Sequence, residues 1–173
     1  MTYADTIRTL VRDHATPSLL EQAATWYYDA HDVAVKVASN MSIDIERAAC
    51  IVAAFSPRER WSVNVRKALS YSVGMIPSGL SNNVAMADAS LVHGFDALKG
   101  LKTNAFARAI AGDTEAVVID VWMCRAANLG TDSPNKSQYR ALSEAVVKVA
   151  NDLGLTPRTT QALIWIIVRG KAE

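Results

Sequence analysis

Apolar residues recur along this chain at intervals of three and four, the spacing that gathers them on one face of an α-helix, and the alternating Val, Ile and Thr runs expected of strands are absent. The pattern predicts an all-α chain. A first helix covers 3–13, and a second opens after Thr16, with Pro17 in its first turn, and runs towards Ser39. Leu20, Ala23, Ala24, Tyr27 and Tyr28 form one face of that second helix. Ser42 or Asp44 stands where it can cap the next, which holds the apolar run 48–55 and stops before Pro57, because the residue preceding a proline is pushed out of helical geometry. A helix so apolar on all sides belongs at the centre of a core.

Beyond Ser56-Pro57 the stretch RERWSVNVRKALSYSV reads as a helix over 58–73, with Arg58, Arg60, Arg66 and Lys67 near its start or on its polar side. Gly74, Pro77, Gly79 and the cluster Ser81-Asn82-Asn83 then form the longest irregular segment. A short helix over 84–92, a single turn over 95–98 and a helix over 101–111 follow, the last ended by Gly112-Asp113. Asp120 opens a helix over 121–128, and the final two cover 137–153 and 157–168. No internal repeat or low-complexity segment interrupts the pattern, so the expectation is one compact helical domain over 1–173.

Composition adds a few limits. Hydrophobic residues make up 50% of the 173, enough for a core without disulfides or a structural metal. Eighteen Lys and Arg stand against seventeen Asp and Glu, so any contact with nucleic acid must come from a local cluster of charge. The two cysteines, Cys50 and Cys124, each sit in an apolar stretch and read as reduced core residues; two so far apart supply neither a zinc site nor an iron–sulfur cluster. His14, His31 and His93 lack ligand or triad spacing and read as surface or capping residues. No metal and no cofactor is expected. The N-terminal stretch is charged throughout, unlike a signal peptide, and the longest apolar run, 162–168, is far short of the roughly 20 residues a bilayer requires, so a cytoplasmic monomer with no membrane partner is expected.

Two places carry candidate chemistry. In Leu98-Lys99-Gly100-Leu101-Lys102-Thr103 a short turn and a glycine lead into a helix that begins with a lysine. A helix N-terminus offers backbone N–H groups to a phosphate, and glycine lets a nucleic-acid backbone approach, although the same sequence also fits an ordinary helix–helix turn. In Val117-Val118-Ile119-Asp120-Val121-Trp122 a carboxylate stands among apolar residues at a helix start, where it is either an N-cap or a partly desolvated catalytic group. Trp122, Met123 and Arg125 read as packing and a surface pair, and Gln161, Trp165 and Arg169, at four-residue spacing on the last helix, as packing or one wall of a pocket.

Taken together, residues 98–129 resemble the hairpin and catalytic-aspartate segment of endonuclease III-type members of the helix-hairpin-helix DNA glycosylase superfamily, with Lys102 and Asp120 separated by 18 positions as that family spaces its lysine and aspartate. Upstream, Ala53-Ala54-Phe55-Ser56-Pro57-Arg58 through Asn64 and Lys67 is similar to the family's Leu-Ser-x-Gln segment and the helix after it. The resemblance implies a compact helical glycosylase-type domain without an iron–sulfur cluster, the hairpin at 95–111 and the aspartate segment at 116–128. It implies Lys102 as Schiff-base nucleophile, Asp120 as catalytic carboxylate, and Arg58 in place of the glutamine that fills the gap left by an extruded base. Arg60, Trp61, Asn64, Lys99, Gly100, Thr103 and Asn104 complete the implied DNA-binding set, with Trp61 read either as a stacking residue or as core. The chain departs from the family in its single hairpin glycine and in lacking the histidine after the aspartate. It also looks like a group of short phage relatives of these glycosylases, for which the host cytoplasm is the implied location.

The expected function is base excision from DNA on a nucleotide turned into a pocket, Asp120 stabilising the positive charge that develops on the sugar and a partly buried Lys102 attacking as the free amine. Two other readings fit the same residues: a phage transferase that modifies an activated hydroxymethyl pyrimidine, and a non-catalytic DNA- or host-protein-binding protein on the same scaffold.

Overall fold

The computed structural model describes residues 2–78 and 81–170, and every regular element among them is helical. In chain order these are α1 (Tyr3–His14), α2 (Pro17–Met41), α3 (Ile45–Ala54), α4 (Trp61–Ser72), α5 (Ser81–His93), a 3₁₀ turn (Gly94–Ala97), α6 (Leu101–Ala111), α7 (Val121–Ala126), α8 (Lys136–Leu153) and α9 (Pro157–Arg169). No helix among the described residues is long and apolar enough to cross a membrane.

The ends follow local chemistry. Thr2 and Asp5 form a reciprocal capping box on α1, and Asn135 and Gln138 form another on α8, each satisfying two backbone N–H groups that the first turn leaves open. Pro157 occupies the first turn of α9 behind a Thr156 cap, and Gly112, Gly154 and Gly170 close α6, α8 and α9 in the left-handed conformation.

One open choice closes and three expectations shift. Asp44 rather than Ser42 caps α3, its side chain accepting the Arg47 N–H at 2.9 Å, while Ser42 turns the chain with φ 55°. The helix expected from residue 58 starts at Trp61, because the Glu59 N–H donates to the Ser56 carbonyl and closes a turn with Pro57 and Arg58 at its centre. Ser81, Asn82 and Asn83 are not irregular but the first turn of α5; the buried face of that helix is Asn83, Ala87 and Ser90, small and polar, so a search for apolar periodicity passes over it. Helix α7 ends two residues early, at Ala126, where Asn128 adopts φ 53° and the Leu129 N–H bonds back to the Cys124 carbonyl. Gly79 lies outside the described residues.

The chain divides into two compact units, residues 2–27 with 114–170, and residues 28–78 with 81–113, the cut falling within α2. In the first unit α1, α7, α8 and α9 enclose Ile7, Leu142, Val146, Met123, Leu163 and Ile164, all without accessible surface. In the second, α3 is the central helix as its composition predicts: residues 48–54 are wholly buried, against α5, α6, the 3₁₀ turn and α4. Its Cys50 and Ala53 meet Leu98 and Ala107. Small side chains at that contact let helices approach closely. Burial pushes the Cys50 thiol up to about 12, and Cys124 is buried in the other unit, so both cysteines are reduced core residues.

Candidate catalytic site

Asp120 lies in the first unit, half-buried, at the end of the segment 116–119 whose four side chains are all buried. That segment lies outside any helix, so no helical ladder satisfies its backbone. Tyr139 on α8 grips it instead, its hydroxyl donating to the Val117 carbonyl at 3.1 Å and accepting the Ile119 N–H at 3.3 Å. The chain then turns into α7 with Asp120 as N-cap. One carboxylate oxygen, Oδ1, accepts the backbone N–H groups of Trp122 and Met123, each at 3.0 Å. The other, Oδ2, accepts the indole N–H of Trp165 from α9, also at 3.0 Å. Cap and candidate catalyst are thus the same residue, and three donors fix the plane of its carboxylate.

Around it stands an aromatic wall. The Trp165 ring lies 5.8 Å from Trp26 and carries the Arg169 guanidinium 4.6 Å above it. Trp26 meets Tyr27 edge-on at 4.7 Å, and the buried Arg158 lies 5.5 Å over Tyr27. The Tyr27 hydroxyl donates to Gln161 at 2.7 Å in a buried bond. Burial raises the tyrosine's pKa first, and the nearby charge of Asp120 raises it further; the same two causes act on Tyr139, where the Ile119 bond opposes them. Of Gln161, Trp165 and Arg169, Trp165 is the one that bonds to Asp120, while Gln161 is packed against Tyr27 and Arg169 covers the indole. The signal was the 161, 165, 169 spacing on α9, but periodicity names a face, not what it meets. Met123 is buried and Arg125 pairs with Asp132 at 2.8 Å while covering Trp122, as expected of packing and a surface pair.

Lys102 belongs to the second unit. The 3₁₀ turn, Leu98, Lys99 and Gly100 lead into α6, and Asn104 ties this hairpin together: its side-chain N–H₂ donates to the carbonyls of Phe95 at 2.9 Å and Leu98 at 3.2 Å. Its oxygen accepts Arg108 at 2.9 Å, so Asn104 shapes the hairpin rather than facing a ligand. Gly94 is required there, since its φ is 54° and an added Cβ would stand 2.3 Å from the Glu46 carboxylate that accepts the Phe95 N–H. Gly100 is not: its φ is −77° and an added Cβ would meet nothing closer than Thr103 Oγ1 at 3.7 Å. Gly100 offers no side-chain cap, and Lys99 and Lys102 are exposed, with side chains in no hydrogen bond or ion pair among the described residues. The partial burial expected of the Lys102 amine is corrected by this exposure, the outcome of its place in the first turn of a helix whose buried face is Ala107, Ala109 and Ile110.

Arg58 and Arg60 are likewise exposed, without side-chain partners among the described residues, and Arg58 holds φ 64° at a turn position that favours glycine. The Glu59–Lys67 ion pair, 2.5 Å and largely buried, anchors that turn. Trp61 packs edge-on at 6.3 Å against Phe106, four residues beyond Lys102 on α6, which draws the Arg58–Arg60 segment towards the lysine face of that helix. Asn64 is 2% exposed, so the structure removes it from the implied DNA-binding surface; it lies on the inner face of α4 with Ala68. Thr103 is half-buried beside Gly100. His31 caps α6, its Nδ1–H donating to the Ile110 carbonyl at 2.8 Å. No group of His, Cys, Asp or Glu among the described residues could hold a metal ion.

A family model of unknown function, DUF7178, matches residues 2–172. The chain belongs to that family. Neither a curated protein nor a solved structure matches it. The family assignment spans both units and carries no activity with it, so the chemistry rests on the two groups of residues just described.

Proposed function

We propose that this protein is a DNA-binding glycosylase of the helix-hairpin-helix type that excises a base from an extruded nucleotide. The observation that carries the reading is Asp120, a half-buried carboxylate whose two oxygens are held by three N–H donors at 3.0 Å beside an aromatic wall. A carboxylate fixed in this way stabilises the positive charge that grows at the sugar C1′ as the C1′–N bond breaks and its electron pair leaves with the base. A nucleophile then forms the new bond at C1′. In the lyase form it is the Lys102 amine, which loses a proton to solvent as it bonds to C1′; the sugar ring then opens at C1′–O4′, O4′ taking the electron pair and a proton from solvent, to leave the Schiff base. The exposed cations Arg58, Arg60, Lys99 and Lys102 and the uncapped start of α6 are the phosphate-binding elements.

A second reading, base release by water without a lyase step, is favoured by the exposure of Lys102, whose side chain is held by no neighbour among the described residues. Incubation of the purified chain with single- and double-stranded DNA, read by nucleoside mass spectrometry, tests both. Freed base and an abasic site are expected. Intact DNA of altered base mass overturns excision in favour of base modification, and DNA left unchanged overturns both.

A further inference from the structure

Gln161 is 4% exposed, and its side-chain oxygen is taken by the Tyr27 hydroxyl at 2.7 Å. Since the oxygen and nitrogen of a carboxamide point to opposite sides, this bond fixes where the N–H₂ group is aimed. That nitrogen has no acceptor among the described residues. A donor on so buried a residue, left without a protein acceptor, is free to pair with a group that enters beside it. Two other unpartnered side-chain atoms, Asn64 Oδ1 and Thr160 Oγ1, are sealed from solvent, whereas Gln161 keeps 4% of its surface accessible.

Its place in the fold says which ligand. Trp165, one turn further along α9, donates to Asp120, and the Tyr27 hydroxyl that orients Gln161 lies close enough to Asp120 to feel its charge. The open amide, the indole wall and the fixed carboxylate thus share one corner of the first unit. Stacking on indole accepts every base, because every base has a π-face. Selection must come from a polar edge contact, and the group available for it is a donor.

We propose that Gln161 determines specificity at the Asp120 site by donating its side-chain N–H to the 4-carbonyl of an extruded pyrimidine, so that bases of the uracil and thymine kind are taken in preference to cytosine, which carries an amino group at that position, and adenine, which carries one at its 6-position. This rests on the glycosylase reading above. A donor facing an amino group leaves both unpaired inside the site, which is the kind of mismatch that polar pockets reject most strongly.

The test uses the full chain with uracil and cytosine as free bases at millimolar concentration, followed by the side-chain amide resonances of Gln161, and with oligonucleotides carrying one unpaired uracil or cytosine, followed by binding. Uracil is expected to move the Gln161 resonances and cytosine not. Uracil oligonucleotides are expected to bind about tenfold tighter or more, given the discrimination such sites achieve. Gln161→Glu, which turns the donor into an acceptor, is expected to reverse the preference, and Gln161→Met, of similar shape without the donor, to abolish it should the acid not fold. No Gln161 shift with uracil, a preference for cytosine, or unchanged preference in Gln161→Met overturns the proposal. Binding is read without catalysis, so the two proposals fail separately: uracil bound through Gln161 with no base released overturns the glycosylase reading alone, and release without discrimination overturns the role of Gln161 alone.

Discussion

The two units hold their candidate chemistry in opposite ways. Asp120 is gripped: three donors on its oxygens, Tyr139 holding the strand of chain that leads to it, and indole rings beside it. Arg58, Arg60, Lys99 and Lys102 are presented: exposed, with side chains unpaired among the described residues, on a strained turn and an uncapped helix start. Under the proposed function, the difference matches what each kind of group would do. A carboxylate that stabilises one developing charge must be oriented in advance, whereas cations that neutralise a phosphate backbone work by reach and number.

The sharpest way to break this contrast is Asp120→Asn. The amide keeps the shape and much of the capping, so the helical dichroism is expected to persist while base release falls about 100-fold or more, the usual loss when an electrostatic stabiliser is removed. Collapse of the dichroism instead would mark Asp120 as a structural cap. Lys102→Gln is expected to do the reverse of a gripped residue: borohydride trapping of a protein–DNA adduct disappears, and thermal stability changes by less than about 0.5 kcal/mol, as for other exposed positions. Trapping that persists would assign the chemistry to another amine.

Tyr139→Phe tests the grip from behind. It leaves the Ile119 N–H and Val117 carbonyl without their partner, and the cost in chemical denaturation is expected to be about 1–3 kcal/mol. Arg58→Gly tests the presented side and is expected to move two measurements in opposite directions. Relief of the left-handed backbone raises stability by about 1 kcal/mol, while DNA binding weakens and its salt slope falls by about one. A variant that is more stable and binds as before would remove Arg58 from the interface.

The smallest expected effect is in acid. The Arg47 backbone N–H, and then its side chain, hold the Asp44 carboxyl below the usual carboxylate range. A depressed native pKa contributes stability above the unfolded value, about 3.9, and loses it as pH falls through the native one. The melting temperature of the wild type is therefore expected to fall more than that of Asp44→Asn between pH 5 and pH 3. Equal losses would show that the α3 cap plays no part in acid unfolding.

Most helix limits were legible because they depend on residues within about four positions of one another. The α6 limits agree with the sequence at both ends, set by the run from Leu101 and by Gly112, and Asp44, Pro157 and Asp120 mark starts that a side-chain oxygen or a fixed φ dictates. Where the buried face was built of Asn83, Ala87 and Ser90, the apolar signal vanished and α5 was expected too short. Asp120 and Lys102 could be picked out as residues, but not their surroundings.

Those surroundings belong to tertiary structure. Trp165 reaches Asp120 across 45 positions, Tyr27 reaches Gln161 across 134, and Tyr139 reaches Val117 across 22. A sequence fixes which residues share a helix face, since 3.6 residues per turn is a property of the backbone. Which distant element that face meets, and so whether an amide, a lysine or an indole ends up sealed, gripped or open, is set by how the helices pack, and no local rule contains it.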